Sequence, residues 1–322
     1  MIDWFIQQSI LLSALVALLL LGRNYLNQWL GAKATYWLWG LLPLCCLVSV
    51  FTPFLAKQPN QLLQQYIVAT KTELAMVDIA QVVQAHDIVI WLWFLVVLAL
   101  VIAVVFFHQR YLSLLSLAPC SESLTKLVHQ QKCTGQLAIK QSDVISSPVL
   151  VNAWRATLVL PTQFVTKFDT SQQQMIIRHE LMHYKQGDLI WNAFAVALVI
   201  LNWFNPIMWW GFKAFRQQQE LACDQAVLHN QSLAECQSYA RAMISATSSD
   251  DVSFITQLNY CEKTFMKERI MALGQHHKGD NWLAIALIVV SSLTISATQL
   301  VMATEQVAQQ QVTPQHRIQP KY

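Results

Sequence analysis

The sequence is poor in charge and has no block of one sign. Only 12% of its 322 residues are Asp, Glu, Lys or Arg, whereas soluble proteins average about 25%. The net charge is +3 and the basic residues are dispersed, so the chain lacks the basic patch typical of nucleic-acid binding. Seven cysteines, an odd number without metal-ligand pair spacing, do not match a disulfide framework. With 55% apolar residues and a mean hydropathy of +0.37, the composition predicts an integral membrane protein.

Four apolar runs of about 20 residues are each long enough to cross a bilayer as a helix. The predicted spans are 4–22, 35–55, 88–107 and 282–303. The first connecting loop holds Arg23 and Lys33 with no acid, whereas the loop 56–87 holds two basic and three acidic residues. The positive-inside rule therefore places the N-terminus and the loop 56–87 outside, and residues 108–188 in the cytoplasm.

One motif in this cytoplasmic segment has the pattern of a metal hydrolase. His179 and His183 are four residues apart, so on a helix both imidazoles project from one face, where a single cation can bind both. Glu180 can reach a water beside that cation and act as a general base. The motif predicts a catalytic metal centre.

The segment before the motif reads as a small sheet followed by a helix. The helix is predicted over 172–186, with Ser171 as its N-cap, Gln174 completing a capping box and Gly187 ending it. In zinc hydrolases a strand beside such a helix can hold an extended substrate by edge pairing, although strands here could simply cover the helix. Short strands are predicted at 136–139, 149–151 and 157–160, and either of the last two could take that role.

The apolar run 189–212 could span the membrane, which would carry everything after it to the outside. Asn205 and Pro206 interrupt the run with a strong helix breaker. We therefore predict a helical hairpin, 189–203 and 207–215, that dips into the bilayer and returns on the same side, which is tolerable where protein buries the turn. Such a hairpin brings the following residues back to the two histidines.

Those following residues contain the candidate third ligand. Glu220 and Asp224 lie four apart on one helix face, which suits a carboxylate ligand and a second carboxylate that accepts a hydrogen bond from a ligating imidazole. A solvated surface pair is the alternative explanation. Cys223 could bind the metal instead, but a packed thiol is favoured. A donor for the reaction's oxyanion is also required; the available side chains, which spacing does not rank, are Tyr184, His229 and Arg241.

These motifs together resemble the BlaR/MecR family of β-lactam-sensing antirepressor membrane metallopeptidases. The resemblance rests on the order of the spans and on three sequence motifs: HELxHYKxxD at 179–188, WFNP at 203–206 and ELACD at 220–224. It covers about residues 1–303. It implies a zinc ion held by His179, His183 and Glu220, with Glu180 as catalytic base. It also implies that a membrane zinc domain cleaves a cytoplasmic repressor, directly or through a relay, after an external stimulus.

The sequence departs from that family in two ways. Asn152 and Ala156 stand where we expect glycine and proline, which affects local turn geometry. Only 19 residues, 304–322, follow the last predicted span, so we expect no penicillin-binding-like sensor domain there. We therefore expect the stimulus to act through the outer loop, the spans, a homodimer or a separate sensor protein.

The sequence thus predicts a mainly α-helical integral protein of the bacterial cytoplasmic membrane. We expect about four transmembrane helices, a membrane-dipping hairpin and a cytoplasmic zincin-like α+β metalloprotease domain. The expected partners are the lipid bilayer and a protein substrate such as a cytoplasmic repressor, with no direct nucleic-acid binding. The predicted divisions are a three-span region 1–107, a peptidase domain 108–281, a last span 282–303 and an external tail 304–322.

Two other functions fit the same motifs. One is a non-catalytic membrane signalling adaptor with a retained metal site, and the other is a quality-control peptidase that degrades damaged membrane proteins. A closed structural zinc site would need a fourth protein ligand and no free base. Three ligands plus Glu180 therefore favour catalysis.

Overall fold

A computed structural model of the chain describes residues 2–55, 79–131, 137–229, 231–247 and 269–270. These residues form a mostly helical structure with one small mixed sheet, in agreement with the predicted fold class. The predicted span 282–303, the tail 304–322 and most of the loop 56–87 lie outside the described residues.

Three described segments are long and apolar enough to cross a membrane: Phe5–Leu30, Ala32–Val50 and Ile88–Leu114. They correspond to the first three predicted spans. The side chains of Ile88–Leu114 are exposed or half-buried along its whole length, as expected for a helix that faces lipid. The helices that contain these segments are α1 (Ile2–Leu30), α2 (Ala32–Leu38), α3 (Leu41–Leu55) and α4 (Ile79–Leu114).

A four-stranded sheet follows α4 in the chain, with strand order β1-β2-β4-β3. Strands β2 and β4 are parallel, and β3 pairs with β4 in the antiparallel sense. Strand β4 lies between β2 and β3, and its Leu158, Val159 and Leu160 are fully buried, whereas β3 lies at the end of the sheet. The elements are β1 (Ala118–Pro119), α5 (Glu122–Gln130), β2 (Ala138–Ser142), β3 (Val149–Val151) and β4 (Thr157–Pro161).

The predicted strand 149–151 coincides with β3, and 157–160 is one residue shorter than β4. The predicted strand 136–139 is misplaced, because β2 begins at Ala138 and continues through Ser142. All five residues of β2 pair with β4, so backbone pairing extends the strand through polar side chains that gave no strand signal. The two-residue β1 was not predicted.

The motif helix α7 (Thr170–Gln186) follows a single turn of helix, α6 (Phe164–Lys167). The predicted N-cap at Ser171 is wrong. Asp169 is the cap instead, because its side chain accepts from the Gln172 backbone N–H at 2.8 Å while Gln172 Oε1 accepts from the Asp169 N–H at 3.2 Å. Gly187 ends the helix in a left-handed conformation, φ 70°, as predicted.

Two further helices carry the chain away from the motif and back. Helix α8 (Asp188–Leu201) starts directly after Gly187, and α9 (Pro206–Leu228) is capped by Asn205, whose side chain accepts from Ile207 N–H at 3.1 Å. The predicted second arm, 207–215, is only the first part of α9, because no breaker follows and the helix continues through Leu228. The next helix is α10 (Leu233–Thr247).

Helix α9 joins the membrane helices to the motif helix. Its first half packs on α1 and α2 in one apolar core that includes Val16, Tyr36 and Phe215. A second core, which includes Leu158 and Ile177, lies between the sheet and α7. A third cluster, which includes Met175 of α7 and Val227 of α9, packs these two helices against each other.

Candidate metal centre

Helices α7 and α9 bring together three side chains that could hold a metal ion. The Nε2 atoms of His179 and His183 are 3.0 Å apart. Glu220 Oε2 lies 3.4 Å from His179 Nε2, and Glu220 Oε1 lies 3.7 Å from His183 Nε2. Around a tetrahedral zinc ion with bonds of about 2.0 Å, donor atoms are about 3.3 Å apart. The three side chains therefore have the spacing of a zinc site.

Hydrogen bonding fixes which ring nitrogens carry protons. His183 Nδ1 lies 2.6 Å from Asp188 Oδ2, so Nδ1 donates to the carboxylate. The Tyr239 hydroxyl donates its proton to Asp224 at 2.6 Å, so its oxygen accepts from His179 Nδ1 at 2.8 Å. When both rings are neutral, their Nε2 atoms therefore present lone pairs to each other and to a carboxylate, an arrangement that a cation between them stabilises.

Asp188 supports His183, although the sequence analysis gave it no role. It is the first residue of α8, and the left-handed turn at Gly187 returns its side chain to the histidine five residues before it. Only 2% of Asp188 is exposed. The signal that could have revealed it was a lone carboxylate directly after the predicted helix stop.

Asp224 was predicted to accept a hydrogen bond from a histidine directly, but Tyr239 connects the two side chains. Asp224 Oδ1 is 3.4 Å from His179 Nδ1, beyond the best hydrogen-bond range, and Tyr239 lies between them. Tyr239 comes from α10 and is 1% exposed. Since it is 60 residues from His179, no local pattern pointed to it.

Arg269 is a third contributor that the sequence did not suggest. Its Nε and Nη2 donate to the two oxygens of Asp224 at 2.7 and 2.8 Å, and its Nη1 lies 3.3 Å from Glu220. Burial alone would raise the pKa of each carboxyl, but Arg269 and the histidines hold the pKa of both well below its usual range. Asp224 and Glu220 are therefore ionised.

The same carboxylates favour positive charge on His179. Burial alone would lower the pKa of this imidazole, but Asp224 and Glu220 raise it to about 10. A proton and a metal cation compete for the same nitrogen lone pair, so the carboxylates that raise this pKa also favour a bound cation.

Glu180 lies beside these donors in an open cavity of about 330 Å³. Burial raises the pKa of its carboxyl, which brings the group nearer to the range of a general base. The segment from Ser147 to Leu150, which includes the start of β3, lines the same cavity. The cavity thus has an ionisable base, a group of metal ligands and an edge strand along one side.

The three oxyanion candidates named from sequence do not line this cavity. Tyr184, His229 and Arg241 all lie within the described residues but outside its lining. Arg216 does line it, and one of the five N–H groups of its guanidinium donates to Gln219 Oε1 at 2.7 Å.

Cys223 is a packed thiol beside the site. It is fully buried, with Sγ 3.2 Å from His183 Nδ1 and 3.6 Å from Asp188 Oδ2. Its position also makes a second group of potential donors with those two residues. Burial and the charge of Asp188 raise the pKa of the thiol well above its usual value, which disfavours the thiolate that binds metal.

Comparison with known proteins gives one family over most of the chain. A family model described as BlaR1 peptidase M56 matches residues 4–273. The regulatory protein BlaR1 of Bacillus licheniformis is 32% identical over 93 residues, which are 29% of this chain and 15% of that protein. The methicillin resistance mecR1 proteins of Staphylococcus aureus and Staphylococcus epidermidis are 33% identical over 92 residues, 29% of this chain and 16% of theirs. The aligned segment spans about one sixth of these curated relatives.

Proposed function

This chain belongs to the BlaR1 peptidase M56 family, and from that premise we propose that it is a membrane-embedded zinc metalloendopeptidase that acts in signal transduction. The observation that carries the proposal is the convergence of His179 Nε2, His183 Nε2 and the Glu220 carboxylate beside Glu180. A zinc hydrolase needs this combination of an incomplete protein ligand set and a nearby base.

Zinc is the proposed metal, with His179, His183 and Glu220 as its ligands. Two imidazoles and one carboxylate form a ligand set that zinc hydrolases use, and they leave a coordination position open. When bound, the ion supplies a positive charge that acidifies water and polarises a carbonyl group.

The side chains divide the remaining tasks. Glu180 takes the proton of the attacking water and passes it to the leaving amine, for which a raised carboxyl pKa is an advantage. Asp188 and Tyr239 keep the two imidazoles in the tautomer that presents Nε2. Arg216, which faces the cavity, is our candidate donor to the substrate carbonyl oxygen.

An extended polypeptide is the proposed substrate, bound along β3. Of the two strands considered from sequence, β4 lies between β2 and β3 and its residues are buried. Strand β3 is at the end of the sheet and borders the cavity. Backbone pairing to Val149–Val151 would hold a peptide against Glu180 with little dependence on side chains, so pockets in the cavity wall would set specificity.

The physiological substrate we propose is a cytoplasmic regulator, such as a transcriptional repressor. The names of the relatives describe regulation and resistance, and the charge of the connecting loops favours a cytoplasmic site with the N-terminus outside. The hairpin of α8 and α9 would dip into the bilayer and return. A separate sensor protein or a homodimer would convey the stimulus.

Comparative proteomics tests this function. Cells that express wild type or Glu180→Gln are compared for a protein that is cut in the first and accumulates uncut in the second. The matched control is Glu122→Gln, because Glu122 is an exposed carboxylate that pairs with Lys126 one helical turn away. A single soluble regulator among the differences supports signalling, whereas many damaged membrane proteins would support quality control.

The same comparison separates an enzyme from an adaptor. If Glu180→Gln cells give the wild-type proteome and the wild-type response while Glu220→Ala cells lose the response, the metal site is structural. That pair of results would contradict the peptidase function.

A further inference from the structure

Tyr36 connects a membrane segment to the metal centre. It lies on α2, within the apolar segment Ala32–Val50, and is 3% exposed. Its hydroxyl donates to Asp188 Oδ1 at 2.7 Å, and the other oxygen of that carboxylate lies 2.6 Å from His183 Nδ1. Two short hydrogen bonds therefore join α2 to a proposed zinc ligand.

The direction of these bonds is determined by the neighbours of Tyr36. Arg216 Nη1 donates to Gln219 Oε1 at 2.7 Å, which fixes the orientation of the Gln219 amide. Gln219 Nε2 must then donate to the Tyr36 oxygen, at 3.2 Å. The one hydroxyl proton of Tyr36 is consequently committed to Asp188.

Asp188 depends on such a donor because its carboxylate is buried. A buried charge is costly unless its oxygens are hydrogen-bonded. Tyr36 serves Oδ1 and His183 serves Oδ2, so the carboxylate is held from two sides. Without the hydroxyl, Asp188 would gain by rotating toward another donor, and the His183 ring would lose its fixed orientation.

Helix α2 is also tied to the helix that bears the third donor. The Tyr36 ring stacks on Phe215 with centroids 5.7 Å apart. Gln218, fully buried, donates to the carbonyl oxygen of Ala32 on α2 at 2.9 Å and to Asn27 Oδ1 on α1 at 2.6 Å. A displacement of α2 would therefore act on α9 and on Asp188 together.

We propose that Tyr36 is a positioning residue of the metal centre, which holds Asp188 and thereby the ring of His183, so that zinc affinity depends on the position of α2. The inference rests on the proposed zinc site but not on any particular substrate. It gives the membrane helices a direct route to the activity: a displacement that separates Tyr36 from Asp188 weakens zinc binding.

The test is the zinc affinity of Tyr36→Phe in the full chain, purified in detergent micelles and titrated against a chromophoric chelator. Removing a hydrogen-bond partner of a metal-bound histidine typically weakens metal affinity about 10- to 100-fold. Because Tyr36 bonds Asp188 and not the histidine, we expect a loss near the lower end of this range, about tenfold. The matched control is Tyr25→Phe, because Tyr25 is on α1 and is 66% exposed. Its affinity should stay within about twofold of wild type. A wild-type affinity for Tyr36→Phe would overturn the inference.

A double-mutant cycle tests whether Tyr36 acts through Asp188. In an Asp188→Asn background, Tyr36→Phe should have little further effect on zinc affinity, because the carboxylate it holds is gone. Additive losses would show that Tyr36 acts by another route, which contradicts the proposal. The absorption spectrum of bound Co²⁺ should also change in Tyr36→Phe, as a change of ligand geometry requires.

A fluorine label gives a second measurement that does not depend on the folding of Tyr36→Phe. With 3-fluorotyrosine at position 36, the ¹⁹F resonance should shift on zinc addition, and a label at position 25 should not. If the protein binds zinc but the resonance at position 36 does not shift, the inference about Tyr36 is overturned while the proposed function stands. Failure of wild type to bind zinc would instead overturn the proposed function.

Discussion

Replacement of Arg269 by methionine isolates the electrostatics of the metal centre. The guanidinium is 12% exposed and makes hydrogen bonds of 2.7 and 2.8 Å to Asp224 and an ion pair of 3.3 Å with Glu220. Methionine replaces the aliphatic stem of the arginine side chain and carries no charge. The substitution leaves the buried Asp224 and the half-buried Glu220 without their cation.

The expected loss of folding stability follows from the burial of this ion pair. Removing one partner of a buried ion pair costs about 3–5 kcal/mol, because the other charge remains uncompensated. For a chain of this size such a loss corresponds to a fall in melting temperature on the order of 10 °C. Zinc would offset part of the loss, so the measurement is made in chelator.

The pH dependence gives the sharper signature. Because Arg269 helps to hold the folded-state pKa of Asp224 below its unfolded value of about 4, the stability it contributes is complete above that pH. The contribution is lost as pH falls through the folded-state pKa. The melting curves of wild type and Arg269→Met should therefore be well separated at pH 6–7, roughly the plateau of this linkage, and should converge toward acid.

Thermal unfolding in detergent at several pH values provides the assay. The control is Arg155→Met, because Arg155 is exposed, and it should change stability by less than about 0.5 kcal/mol. Two results would refute this reasoning: a melting temperature of Arg269→Met equal to that of wild type at neutral pH, or a difference in melting temperature that is the same at every pH. Either would show that Arg269 does not stabilise the ionised carboxylates.

Three other predictions concern the hydrogen-bond support, the topology and the packing. Tyr239→Phe removes the bridge between Asp224 and a histidine, and should weaken zinc affinity about tenfold in a chelator titration; an unchanged affinity would contradict its role. Cysteines at Asp143 and His229, both exposed, should react with an impermeant maleimide only after cell lysis, and labelling of His229→Cys in intact cells would contradict the returning hairpin. Gly211→Ala places a Cβ 2.6 Å from a methyl of the fully buried Val16 and should lower stability by about 1–3 kcal/mol; wild-type melting would show that this contact is loose.

The convergence of the three candidate ligands could be predicted from sequence because its signals are local. His179 and His183 are separated by one helical turn. Glu220 became a candidate because Asn205 and Pro206 break the apolar helix and allow the chain to return to the histidines. Each of these inferences needs only a short stretch of chain and a rule of helix geometry. The apolar runs of the described spans are local in the same sense.

Tyr36, Tyr239 and Arg269 could not be predicted as supporting residues because they come from distant parts of the chain. Tyr36 is 152 residues from Asp188, and Arg269 is 45 residues from Asp224. No periodicity or spacing connects such pairs before the fold is known. They are found only when packing brings the helices together.

The helix cap shows a different limit, which is a choice between two equal patterns. Ser171 with Gln174 and Asp169 with Gln172 are both capping boxes in sequence. Phe168 is buried in the core beside α7, and its carbonyl oxygen accepts from Gln173 Nε2 at 2.7 Å. Tertiary packing of Phe168 therefore selects the earlier cap.

The central claim is tested most directly by the zinc content of purified protein. Wild type and Glu180→Gln should each retain about one zinc ion per chain after dialysis, and Glu220→Ala should retain almost none, because two histidines alone bind zinc weakly. Full zinc occupancy in Glu220→Ala, or none in wild type, would contradict the assignment of His179, His183 and Glu220 as the ligands.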